Sequence, residues 1–159
     1  MGNVIVPAYA LGRNPLETVI TVSYGSDLSE GFGRRVRNIL DDRSSAKCSL
    51  AANFHRTRRA YRFRTSAGGA YSAFGRGGPV TGRGASLLIL DDLITDSSEA
   101  NSETDCRGLI EWLQHLAFTW LTPNGRVLAI ATSWSEREPM GWIMGPGHQQ
   151  KSKTHWNPG

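Results

Sequence analysis

The sequence contains no run of about eighteen apolar residues, so no transmembrane helix is expected. Met1 to Tyr9 has neither a basic stretch nor a long apolar core and is not expected to act as a secretory signal. Cysteine is scarce. Cys48 and Cys106 stand alone, without metal-ligand spacing, and read as reduced thiols. His55, His115, His148 and His155 form no ligand motif, so none is assigned to a metal. The string G-x-x-x-x-G-K-[ST] occurs nowhere, so these residues do not supply that phosphate-cradling loop. Acidic side chains are almost missing from 34–83, where only Asp41 and Asp42 occur.

What is present fills that gap with positive charge. Arg34, Arg35, Arg37, Arg43, Lys47, Arg56, Arg58, Arg59, Arg62, Arg64, Arg76 and Arg83 lie in the same stretch. Such a block favours a polyanion, either nucleic acid or nucleotide phosphate. Arginine predominates over lysine, and its guanidinium fork matches phosphate oxygens. A solvated basic face is the alternative for most of these side chains taken singly. The 159 residues, with 39% hydrophobic and 20% charged, are enough for one domain with a real core.

Thr18 to Ser23 is largely β-branched and predicts a strand. Ser26 predicts a helix N-cap, with Asp27 and Glu30 in the first turn. Phe32, Val36, Ile39 and Leu40 then recur at helical spacing. Asp42 to Arg59 lacks periodicity and reads as a long surface loop. Tyr61 to Thr65 alternates, Gly68-Gly69 turns, and Ala70 to Phe74 returns, which predicts a hairpin. Leu93 to Asn101 reads as a loop. Ser102, with Asp105 three residues on, predicts the cap of a long helix striped by Leu109, Trp112, Leu113, Leu116, Ala117 and Trp120. Thr122 to Gly125 ends that helix, and Arg126 to Thr132 predicts a buried strand. A short helix is expected over Glu136 to Met144, and 145–159 is expected to be a disordered tail.

The chemistry centres on Ser86 to Asp92. Leu87-Leu88-Ile89-Leu90 reads as a strand buried on both faces, typical of a parallel sheet. Asp91 and Asp92 then fall at its C-terminal end, where open α/β sheets place ligands. Adjacent carboxylates there suit a hydrated Mg²⁺ and an activated water, or simply an acidic start to the next loop. Immediately upstream, Gly75 to Gly84 crowds glycines around Arg76 and Arg83. Such a loop can cradle an anion or serve as a flexible connector.

In order and spacing these residues resemble the ATPase domain of phage terminase large subunits. The resemblance rests on the string from Gly75 to Ile94, the Val19-to-Tyr24 strand with its Phe32-to-Arg37 helix, Glu99 to Thr104, and Asn124 to Trp134. It covers roughly Pro7 to Met144. It implies an α/β fold, P-loop NTPase-like of the ASCE type. The sheet would be mainly parallel with flanking helices and incomplete at the N-terminus, and residues 1–144 would form a partial ATPase domain. It implies a motor that uses ATP and Mg²⁺ to pump double-stranded DNA into procapsids, encoded by a phage or prophage. Asp91 would order Mg²⁺ as the Walker B aspartate. Asp92 would position the attacking water, at a place where many relatives carry Glu. Arg83 would act in trans on a neighbouring nucleotide, with Arg76 in reserve. Thr132 and Ser133 match the motif that couples hydrolysis to DNA movement. Met1 to Pro15 resembles the tail of the helix that follows Walker A in the family. The implied partners are double-stranded DNA, a portal protein, a small terminase subunit and further copies in a homo-oligomeric ring. The implied location is the host cytoplasm, with no membrane. Without Walker A the chain alone is expected to be inactive.

Two alternatives use the same residues. Asp91, Asp92 and Asp96 could gather Mg²⁺ for a phosphohydrolase or nuclease. The arginine block could serve a non-catalytic nucleic-acid-binding remnant, whose binding would depend steeply on salt.

Overall fold

The computed structural model describes residues 2–41, 54–55, 61–78, 84–115, 117–131 and 143. Helix α1 (Gly2–Arg13) leads into strand β1 (Thr18–Ser23) and helix α2 (Ser26–Asp41). Strands β2 (Phe54–His55), β3 (Arg62–Thr65), β4 (Ala70–Gly75) and β5 (Ala85–Asp91) follow. Helices α3 (Ser97–Asn101) and α4 (Glu103–His115) and a 3-10 turn (Ala117–Trp120) lead to strand β6 (Leu121–Ile130).

The six strands form one sheet in the order β2-β3-β4-β1-β5-β6. β4, β1, β5 and β6 run parallel, while the β2-β3 and β3-β4 pairs are antiparallel. This is the mainly parallel α/β sheet expected of a P-loop-like fold. The alternation of side chains along β1 and β5 divides the core in two. Val19, Leu87 and Ile89 pack beneath α1 and α2, with Val4, Ala8, Leu11, Phe32 and Val36. Ile20, Val22, Leu88 and Leu90 pack on the opposite face against Leu109 and Leu113 of α4 and against Ala117. Covering on both faces is why Leu87 to Leu90 reads as an unbroken apolar run. On the α1 side, Phe63 and Tyr71 stack with ring centroids 5.1 Å apart. Burial pushes the Tyr71 phenol up to about 12, so the ring is a neutral core side chain at neutral pH.

The helix that resemblance placed in Met1 to Pro15 is present, from Gly2 to Arg13. Pro7 lies inside α1 but is buried with Val4, Ala8 and Leu11, so packing outweighs its poor propensity. Several expectations changed. Leu93 to Asn101 is not all loop, because α3 occupies its second half. The Ser102 cap is present, with the Asp105 amide 3.3 Å from Ser102 Oγ. The helix after it stops at His115 and continues as the 3-10 turn. Thr122 to Gly125 is no simple helix end. Those residues bulge within β6, shifting its register between the Ala85–Leu121 and Leu87–Arg126 pairs. Ile39, assigned to the buried stripe of α2, is 40% exposed. Most of Asp42 to Arg59 lies outside the described residues, but Phe54–His55 pairs with β3 as an edge strand. The expected helix over Glu136 to Met144 lies outside them except for Ile143, which packs against the α4-side core. The tail 145–159 also lies outside them. Among the described residues no helix is long and apolar enough to cross a membrane.

Candidate functional site

The parallel pairings align four strand ends in one row. Ser23 stands opposite Gly75 on one side and Asp91 on the other, and Asp91 faces Ile130 of β6. β4 flanks β1 on one side and β5 on the other, so chain order reverses at β1. The crevice outside Ser23 and Asp91 is therefore a topological switch point.

Asp91 closes β5 and is 8% exposed. Its Oδ2 accepts a 2.6 Å hydrogen bond from Nδ2 of Asn3, in the first turn of α1. Gly2 sits beside the end of β6, where an added Cβ would come within 2.8 Å of Ile130 Cδ1. Burial raises the Asp91 carboxyl above its ordinary range. The Asn3 hydrogen bond pulls it down, and the neighbouring Asp92 charge adds to the rise.

Asp92 is exposed and left-handed, with φ of 46°. Aspartate tolerates that region better than most residues, but it still costs about 1 kcal/mol. The surrounding contacts hold it there. Its amide donates to the Ile130 carbonyl at 2.9 Å, and the next residue, Leu93, is buried.

Arg76 begins the loop after β4. Its amide donates to Ser23 O at 2.7 Å, and its Nη1 donates to Leu93 O at 2.9 Å. Its Nη2 forms an ion pair with Glu99 Oε1. The second Glu99 oxygen accepts from the Thr95 amide at 2.8 Å. Burial alone would raise the Glu99 carboxyl, but the hydrogen bonds from Thr95 and Arg76 and the Arg76 charge leave it below the usual range. On the other side of the row, Ser29 Oγ of α2 lies 2.6 Å from Ser23 Oγ and 2.7 Å from Phe74 O. Gly75 allows α2 to start this close, since a Cβ there would come within 2.8 Å of Ser26 N.

The fold thus brings Asp91, Asp92 and Arg76 to one edge. Arg76 is engaged by Glu99 and Leu93 in its own chain. Arg83, Thr132 and Ser133 lie outside the described residues, although β6 ends in the same row two residues before Thr132. Asp96 does not join a carboxylate cluster. It caps α3, its Oδ1 accepting from the Glu99 amide at 2.9 Å. Among the described residues no three His, Cys, Asp or Glu side chains gather to hold a metal. The nuclease reading built on Asp91, Asp92 and Asp96 therefore loses its third ligand.

Sequence reasoning missed Asn3, Glu99 and Ser29. Asn3 gave no local signal, because its partner is 88 residues away. Glu99 was legible: Asp96-Ser97-Ser98-Glu99 has the D-x-x-E spacing of a capping box.

The fold has a partial counterpart among solved structures. The chain matches the crystal structure of the HK97 bacteriophage large terminase with a TM-score of 0.58. The fold resembles that of part of this large terminase. Identity is 14%, and the match covers 89% of this chain and 29% of that one. No family model and no curated protein matches the sequence.

Proposed function

We propose that this chain carries the Walker B half of an ATP-driven DNA-packaging motor of the large-terminase kind. The observation that carries this reading is the pair Asp91-Asp92 at the end of β5, at the switch point of a terminase-like sheet. Mg²⁺ usually keeps several waters and takes one or two carboxylates plus substrate phosphates. The donors present fit that mode and not a self-sufficient metal cage. Asp91 would hold the ion, and ATP phosphates and water would complete its shell. Mg²⁺ held there would supply charge neutralisation to the reacting phosphates. Asp92 would orient the attacking water. Arg83 would stabilise charge on a neighbouring subunit's nucleotide. Thr132 and Ser133 would sense the state of the site.

The phosphate-binding loop would come from residues outside these 159, ahead of α1. Handedness supports one place for it. α1 and α2 cover the same face of the sheet. The β1-α2-β2 crossover moves from β1 toward β4, and β-α-β crossovers share one hand. A strand feeding α1 would then lie on the other side of β1, beyond β6. That position leads directly to Asn3 and Asp91.

The test is to fuse an apolar strand and a G-x-x-x-x-G-K-[ST] turn ahead of Gly2 and to measure Mg²⁺-dependent ATP hydrolysis. Activity that Asp91→Ala abolishes is the expected result. No hydrolysis from a folded fusion, or hydrolysis indifferent to Asp91→Ala, overturns the proposal. The partners would be double-stranded DNA, a portal, a small subunit and further motor subunits. Arg34 and Arg35 lie exposed on α2 and would contribute a salt-sensitive, sequence-independent attraction for DNA.

A further inference from the structure

Arg76, in the loop after β4, and Glu99, in α3, share more than an ion pair. A surface pair holds one contact and is easily screened. Here each partner makes two contacts, and Glu99 keeps only 16% of its side-chain surface exposed. Arg76 uses one guanidinium nitrogen on Leu93 O and the other on Glu99. Glu99 uses one oxygen on Arg76 and the other on the Thr95 amide. The Arg76 amide is itself anchored to Ser23 O on β1. The result is a brace running from β1, through the β4 exit, to Leu93 and Thr95. Those two residues flank the segment just after Asp92. On the inner side, Asp92 is fixed by its amide on Ile130 O. The strained φ of 46° therefore lies between two anchors, one of which is this brace.

We propose that Arg76 and Glu99 are a positioning pair that holds Asp92 in its left-handed turn beside Asp91. Arg76 then acts through Glu99 and the backbone and not on a phosphate. The consequence for turnover rests on the motor reading above, whereas the conformational role does not.

The decisive variants are Arg76→Gln, Glu99→Gln and the double variant carrying both. The first readout is amide hydrogen exchange in the chain as it stands. Either single variant should speed exchange at Asp92 and Thr95 by about tenfold or more, since losing a charge-assisted bond exceeds that equivalent. Exchange at Leu109 and Leu113 should not change. The double variant should lose no more protection than the more affected single variant, because either substitution alone already breaks the pair. If the glutamine variants fail to fold, Arg76→Lys, which keeps the charge and loses the fork, carries the test with the same readout. Unchanged exchange at Asp92 and Thr95, or losses that add in the double variant, overturns the pairing.

The second readout is ATP turnover in the fusion carrying a phosphate-binding loop. Each single variant should lower kcat about tenfold or more with KM unchanged, and the double variant should lower it no further. An arginine that touched phosphate would act independently of Glu99, and its loss would add to that of Glu99→Gln. If the unsubstituted fusion shows no hydrolysis, the motor reading fails, and the exchange measurement still decides the brace.

Discussion

Replacing Asp91 with asparagine should stabilise this fold at pH 8. The substitution keeps the side-chain shape, and an amide oxygen remains to accept from Asn3 Nδ2 across the same 2.6 Å. Asn3 keeps its acceptor. Two opposing effects decide the sign. The Asn3 bond loses its charge assistance, which costs about 1 kcal/mol. Against that, the substitution removes the desolvation of a carboxylate that is 8% exposed and its repulsion by Asp92. The carboxyl sits above its ordinary range with the Asn3 bond already included, so desolvation is the larger effect. A net gain of about 1 kcal/mol is expected, which for a domain of this size raises Tm by roughly 2–4 °C.

The pH dependence checks the cause. A carboxyl raised in the folded state keeps its proton to higher pH than in the unfolded chain. Stability from this group therefore falls as pH rises from the ordinary carboxylate range through the raised value. Below that window Asp91 is protonated in both states, and the substituted and unsubstituted proteins should converge. Urea unfolding at a series of pH values measures both effects. Equal midpoints at pH 8, or a less stable variant there, would refute the reasoning. A gain that persisted unchanged into acid would assign it to packing and not to charge.

Asn3→Leu removes the donor and leaves the carboxylate buried. It should cost about 1.5–3 kcal/mol at pH 8, and less in acid, read by the same urea titration. Asp92→Gly relieves the left-handed residue at φ 46° and should add about 0.5–1 kcal/mol, whereas Asp92→Val should lose at least as much; thermal unfolding reads both. Leu88→Ala empties a fully buried site between β5 and α4 and should cost about 2–5 kcal/mol in urea midpoint terms, with no change in the Asp91 pH dependence.

The parts of the fold visible in sequence were those written in local periodicity. β1, the β3-β4 hairpin and β5 follow from alternation and apolar runs, and Ser102 follows from cap spacing. The parts that were hidden depend on partners distant in the chain. α1 lacks a cap signal and carries Pro7, so periodicity did not show it; family resemblance pointed to a helix there, and packing on β1 and α2 stabilises it. The β6 bulge places a turn sequence, Thr122 to Gly125, inside a strand because β5 continues past it. At the site, Asp91 and Asp92 were legible because a buried strand ended on them. The state of Arg76 was not, because its partner Glu99 lies across a loop and its spacing only signals a cap.

The contrast between the two edges of the sheet argues that the polar groups around Asp91 are there for use. At the opposite edge Glu17 accepts from Arg126 at 2.9 Å and from Ser86 Oγ, a charge matched by a charge. Among the described residues the ion pairs are Arg76–Glu99, Arg107–Glu103 and Arg126–Glu17, and none reaches Asp91. Asp91 is more buried than many paired carboxylates, yet its hydrogen-bond partner is a neutral amide. The next residue is held in a costly conformation. A structural role would be served better by an apolar side chain at the first position and a glycine at the second. Both local rules are broken at adjacent residues, at the switch point, while the strands beneath obey them. Such concentrated inconsistency marks the places where a fold gives up stability for chemistry. On the motor reading proposed above, a cation arriving with phosphate would offset the charge of Asp91, and the burial of that carboxylate would prepare the binding.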